Sequence, residues 1–244
     1  SFLLLENSGK NIAYKELFTI SIIPAILGLF MFFFVKEKRT HSAMNKREPF
    51  WQNMKKLDGQ LKLYLLVAFM FTIGNSSNAF LLLRAKSVGF DDKNVILLYF
   101  IFNLTASILS IPLGRLSDRI GRKKLLVTGY VIFSTVYLAF AFASSQATII
   151  FAFILYGFYT AMITGVERAY IAEISPRDLK GTMLGLHSTI VGVALLPASL
   201  IAGLLWDGFG APTTFIFGSG MSLLAALTLL LFMKNKSLLV NKNA

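Results

Sequence analysis

The 244-residue chain has no cysteine, two histidines and twelve acidic residues. Without cysteine there is no disulfide and no thiolate-ligated metal, and the redox compartment stays open. Two histidines with no H-E-x-x-H pairing leave no metal or acid–base constellation, so no catalytic residue, cofactor or metal is expected. Charge is scarce as well: Asp, Glu, Lys and Arg make up 15% of the chain, against 55% hydrophobic residues and 23 Phe. The mean hydropathy is +0.66. A soluble domain of this size could not hide that much apolar surface, whereas a bilayer solvates it. The chain opens on Ser1 rather than Met and shows no signal-peptide pattern, so it reads as a fragment.

What is present is a series of apolar runs. A membrane-spanning helix needs about 20 of them in succession. Seven stretches qualify: Leu17–Val35, Leu63–Leu83, Val95–Leu113, Leu125–Ala143, Thr148–Ala172, Met183–Trp206 and Thr213–Met233. Spanning segments must satisfy their own backbone hydrogen bonds, so helices are expected and isolated strands are not. The long connection between the first two runs carries Phe50, Trp51, Met54, Leu57 and Leu61 at helical spacing, opposite Lys55 and Lys56. This predicts an amphipathic helix on the membrane surface.

The formal net charge of +12 raises the question of nucleic acid. The basic residues, however, sit in short loops between apolar runs, which is a membrane-topology pattern. Eighteen of the 24 Lys and Arg fall on one side: eight within 36–62, five within 114–124, Arg177 and Lys180, and three after Met233. Five fall on the other (Lys10, Lys15, Arg84, Lys86, Lys93), and Arg168 lies within a span. The positive-inside rule then predicts a multi-pass protein of the cell membrane with the 114–124 loop and the C-terminus in the cytoplasm. Nucleic acid is not expected as a partner; the bilayer is.

Within that loop stands Gly114-Arg115-Leu116-Ser117-Asp118-Arg119-Ile120-Gly121-Arg122-Lys123-Lys124. It resembles the cytoplasmic-loop signature of the major facilitator superfamily, G-x-L-x-D-R-x-G-R-[RK]-x. Ala172-Glu173-Ile174-Ser175-Pro176-Arg177-Asp178-Leu179-Lys180-Gly181 resembles the same family's A-E-x-x-P-x-x-x-R-G pattern, with Lys180 in the arginine position. The order of spans around the signature resembles helix six, the central loop and helices seven to twelve. The resemblance implies an all-α polytopic protein: a six-helix bundle plus one additional transmembrane helix. Residues 1–35 then hold an extracytoplasmic segment and the last helix of the N-terminal half, 36–62 the cytoplasmic central loop, and 63–244 the C-terminal bundle.

The resemblance also implies a secondary transporter that moves a small solute by alternating access, with ion-coupled efflux favoured over import. The missing N-terminal helices are its partner, and the isolated chain is expected not to transport. Gly114, Asp118, Arg119, Gly121, Arg122 and Lys123 form a conformational latch in this reading. Physically, Gly114 suits a close helix approach, Asp118 accepts hydrogen bonds from a helix N-terminus, and Gly121 permits the turn. Glu167, Arg168, Glu173 and Arg177 form a charge network near the cytoplasmic boundary. Glu167 and Arg168 are adjacent and point apart on a helix, so Glu167 is a candidate partner for the basic loop.

Deeper in the spans, Gly74-Asn75-Ser76-Ser77-Asn78 interrupts an apolar helix, with Asn75 and Asn78 on one face at i, i+3. With Asn103, Tyr156 and Tyr159 they are expected to line a polar midplane cavity. Interhelical hydrogen bonding accounts for any one of them equally well. No acid lies at mid-depth, so a proton-coupling carboxylate, if protons are partners, belongs to the missing half. His187 reads as a packing residue. Pro197, between Gly192 and Gly203, predicts a helix bend beside closely packed small residues. No filter motif or charged ring supports a channel, and a non-transporting sensor or scaffold of the family stays open.

Overall fold

The computed structural model describes residues 58–176 and 179–233, together with Thr19, Ile22, Ile23 and 26–31. The chain divides into two units, 1–49 and 50–244. In the first, the described residues are helical and exposed, so most of the expected Leu17–Val35 span lies outside the described residues. The expected surface helix around Phe50–Leu57 lies outside them too.

The second unit holds seven helices among the described residues: α1 (Gly59–Gly74), α2 (Asn78–Ser87), α3 (Asp92–Ile120), α4 (Arg122–Ala141), α5 (Gln146–Ile174), α6 (Lys180–Phe209) and α7 (Ala211–Phe232). No described residue is in a strand. Helices α1 and α2 form one broken span, so six spans long and apolar enough to cross a membrane result. These are the six apolar runs expected after the central loop. Leu61, assigned above to that loop, is instead buried in the first turn of α1.

The spans are longer than their apolar runs. At 1.5 Å per residue the 29-residue α3 is about 43 Å long, against a hydrocarbon core of about 30 Å. The excess carries the signature motif: Gly114–Ile120 is nearly the last two turns of α3, and Arg122 opens α4. The expected loop is therefore a single residue, Gly121, at φ 94°. Its left-handed backbone suits glycine and reverses the chain in one step. Gly210 joins α6 to α7 in the same way at φ 89°.

Helix α4 packs on α7 and α5, α3 on α5, and α7 and α6 on α1. The core is aromatic: Tyr64, Tyr130, Phe133, Tyr137, Phe140, Phe153 and Phe215 are all fully buried. Rings from four helices meet there, with Phe71 on Tyr130 at 4.2 Å and Phe133 on Tyr137 at 3.9 Å between centroids. Each such pair adds about 0.5–1.5 kcal/mol beyond simple burial. In lipid, close approach and interhelical hydrogen bonds replace the hydrophobic drive that packs soluble cores. Both are present. A Cβ on Gly218 would sit 2.5 Å from the Gly74 carbonyl oxygen, and one on Gly157 would sit 2.6 Å from that of Phe102. Ser134 and Ser219 bond at 2.6 Å, and Ser222 Oγ donates to the Tyr130 carbonyl at 2.7 Å.

Helices α3 and α6 are the least covered, each burying 17% of its most apolar window against 39–56% for the others.

Candidate functional site

At the end of the bundle that carries the Gly121 turn, Arg122 is the hub. Its Nη2 donates to Asp118 Oδ1 at 3.3 Å, one helical turn back across Gly121. Its Nη1 donates to the Ala169 carbonyl at 2.8 Å and meets Glu173 Oε2 at 3.2 Å. Ala169 and Glu173 lie in the last two turns of α5, the negative end of the helix dipole. The guanidinium fork thus ties the α3–α4 turn to the end of α5. Lys123 does the same for α7, its Nζ donating to the carbonyls of Leu230 at 3.2 Å and of Met233. Arg119 is exposed beside them.

Two details differ from the expectations. Asp118 caps no helix: Gly121 precedes α4 without a side-chain cap, and the carboxylate, with its side chain 67% exposed, bonds Arg122 instead. An Asp three residues before the turn, still inside α3, is held on that helix and away from the N–H groups of α4. Gly114 makes no close approach either, since a Cβ there would meet nothing within 4 Å. It faces open space on the weakly covered α3, and the tight glycines are Gly74, Gly129, Gly157 and Gly218.

The charge network separates into two parts. Glu173, not Glu167, reaches Arg122. Glu167 Oε1 accepts from the Tyr130 hydroxyl at 3.1 Å, and its backbone carbonyl accepts from Tyr64 at 3.4 Å. The neighbouring Arg168 points to an exposed position. Arg177 lies outside the described residues. His187 is 6% exposed and stacks on Tyr64 at 5.9 Å and 7°, and its Nε2 has no hydrogen-bond partner among the described residues. Tyr64 and Tyr130 were not singled out from the sequence, because tyrosines inside apolar runs are indistinguishable there from core aromatics.

At mid-depth the helix is broken where the polar cluster predicted. Asn75 ends α1, with its N–H on the Phe71 and Thr72 carbonyls, and Ser77 caps α2 by accepting from the Ala79 N–H at 3.3 Å. Asn75 and Asn78 consequently share no helix face. A different device brings them together: Tyr137 donates to Asn75 Oδ1 at 3.5 Å and Tyr156 to Asn78 Oδ1 at 2.8 Å. Tyr159 stands 5.4 Å from Tyr156, ring to ring. Four of the five expected cavity residues are thus collected around the break.

Asn103 is elsewhere. It is exposed, donates to the Tyr99 carbonyl at 2.7 Å, and lines a groove of about 550 Å³ between α3 and α5 that ends at Asp118 and Arg122. In α6, helix continues unbroken through Pro197, whose ring removes the bond to the Val193 carbonyl. The expected close packing at its glycines is absent. A Cβ on Gly192 would meet nothing within 4 Å, and one on Gly203 only Phe80 Cζ at 4.0 Å. The residues buried there are Ala194, Ala198 and Ala202, whose methyl groups already fill the contact.

Comparison with known proteins bears on this arrangement. The sequence profile of the Major Facilitator Superfamily matches residues 63–244. The chain is 38% identical to an uncharacterized MFS-type transporter of Methanocaldococcus jannaschii over 89% of its own length and 56% of the relative's. It is 31% identical to Multidrug resistance protein 2 of Bacillus subtilis over 54% of its length and 33% of that protein's. A multi-drug resistance efflux pump homolog of Lactococcus lactis is 30% identical over 66% of this chain and 42% of its own length. The chain therefore spans about half the length of the curated relatives it matches. With six apolar spans, the signature motif and this profile over three quarters of its length, the chain belongs to the Major Facilitator Superfamily.

Proposed function

We propose that this chain supplies residues 63–244 as the C-terminal six-helix half of a secondary transporter, with 36–62 as its central loop and 1–35 as the end of the preceding half. The transporter moves a small solute outward by alternating access about a site between the halves, driven by a coupled ion such as the proton. Efflux is favoured because two relatives bear multidrug resistance names. The observation that carries the reading is the Arg122 hub. Asp118, Arg122 and Glu173 join three helix ends on one side of the bundle, far from the mid-depth asparagines. Groups placed there regulate access rather than contact solute.

In this mechanism the cluster holds the α3–α4 turn and the end of α5 as one rigid edge. The carboxylate of Asp118 and the Arg119 side chain stay exposed on that edge, open to groups of the half that would close against it. Glu167, tethered by Tyr130, sets the position of α5 behind the cluster.

The test is kinetic. In the full-length transporter carrying this chain, Asp118→Asn is expected to lower turnover about tenfold while leaving the solute dissociation constant within about twofold, because it shifts the balance of access states. Glu173→Gln is expected to act in the same direction. A raised dissociation constant at unchanged turnover would overturn the assignment.

A further inference from the structure

The asparagines at the helix break carry an inference about the solute, one that rests on the transport reading above. Both side-chain oxygens are already committed. Tyr137 donates to Asn75 Oδ1 and Tyr156 to Asn78 Oδ1, and the two tyrosines, on α4 and α5, are 1% and 4% exposed. In the structure each carboxamide turns its oxygen to the tyrosine hydroxyl, so the Nδ2 groups face away from the tyrosines. Neither Nδ2 has a partner among the described residues. Both asparagines are half-buried rather than sealed, so these donors are reachable.

Three further observations point to the same chemistry. The break starts the ten-residue α2 in mid-span, and a helix N-terminus there presents a partial positive charge. Immediately before its cap, Ser76 Oγ is buried, with the residue 6% exposed; it lies near the Tyr137 hydroxyl but makes no hydrogen bond of good geometry among the described residues. Finally, no Asp or Glu stands in α1 or α2, and those of α3, α5 and α6 are confined to their ends. From this half a cationic solute would receive no counter-ion at this depth, whereas an oxygen acceptor would find amide donors, a hydroxyl and a helix start. Behind them the rings of Tyr156 and Tyr159 pack on the fully buried Phe133, which backs the break with apolar core.

We propose that Asn75 and Asn78 form an acceptor-binding subsite that recognises a carboxylate or carbonyl oxygen of the transported solute through their Nδ2 donors. The tyrosines act as positioning residues, and the site selects against amines.

The proposal is tested with matched probes, 3-phenylpropionate, 3-phenylpropionamide and 3-phenylpropylamine, and with the full-length transporter in liposomes. Binding is read by displacement and transport by accumulation. The carboxylate and the amide are expected to bind and be carried, and the amine to be rejected. Asn78→Asp keeps the oxygen that Tyr156 holds but replaces the donor by an acceptor. It is expected to weaken carboxylate binding about tenfold to a hundredfold, the range for a lost hydrogen bond to a charged group. Tyr156→Phe is expected to weaken binding less, since the amide is released rather than removed. Preference for the amine, or carboxylate affinity unchanged in Asn78→Asp, would overturn the subsite while leaving transport intact. If none of the three probes binds but the transporter carries another solute, the subsite falls alone. If the liposomes accumulate no solute of any class, the transport reading falls with it.

Discussion

Gly218 and Gly114 are chemically the same residue in opposite surroundings. At Gly218 an added Cβ would lie 2.5 Å from the Gly74 carbonyl oxygen and 2.6 Å from the Tyr137 ring. Helices α7, α1 and α4 meet there at backbone distance, so Gly218→Leu forces them apart. A loss of about 1–3 kcal/mol is expected from overpacking, read as a lower unfolding temperature in detergent. Gly114→Ala meets nothing within 4 Å and is expected to leave that temperature unchanged. The contrast was not legible in the sequence. Both glycines stand in apolar or signature runs, and only the packing of other helices distinguishes them. Arg122 and Glu173 were legible as members of motifs, but their pairing was not. The choice of Glu173 over Glu167 depends on how far α5 extends past the apolar run, and on Tyr130, which draws Glu167 inward.

At the scale of helices, basic side chains close the C-terminal ends of their neighbours. Arg84 on α2 is the strongest case: Nε donates to the Phe140 carbonyl at 2.9 Å, and Nη2 to those of Ala141 at 3.1 Å and Ala143 at 2.9 Å. These are the carbonyls that the end of α4 leaves without helical partners. Arg84→Ala is expected to cost about 1.5–3 kcal/mol, the scale of a hydrogen bond to a charged group. Arg84→Lys should restore only part of it, because a single ammonium cannot fork across three carbonyls. Thermal unfolding of the three proteins side by side measures both effects. In the sequence Arg84 counted only as one of five basic residues on the sparsely charged side. The six spans and the break at Asn75–Ser77 were legible, since apolar length and a polar cluster announce them locally. The helical state of Gly114–Ile120 was not. A motif dense in charge and glycine reads as a loop, yet the buried Leu113 just before it and the hydrogen-bonded Ser117 within it continue the helix to Gly121.

Over the whole molecule, charge is sorted by side. The Gly121 turn, the end of α5, the start of α6 and the end of α7 share one end of the bundle. The Gly89, 142–145 and Gly210 turns share the other, where Gln146 bonds the Gly89 carbonyl and Lys86 meets Asp92. On the positive-inside rule we propose that the first end faces the cytoplasm. Single cysteines in place of Ser145 and Lys236 test this in intact cells with a membrane-impermeant thiol reagent. Labelling is expected at 145 and not at 236, and the reverse would invert the topology.

The length of α3 has a further consequence. Beyond its apolar run, which ends at Leu113, it continues for seven residues to Ile120, about 10 Å of helix. Its opposite end carries only a short extension, so this span is lopsided along the membrane normal. Bilayer thickness therefore becomes a variable at this edge. Lipids with longer acyl chains would draw Asp118, Arg122 and Glu173 toward hydrocarbon, and hydrophobic mismatch, together with the dehydration of those three charges, would press on the edge to which the proposed alternating access assigns opening and closing.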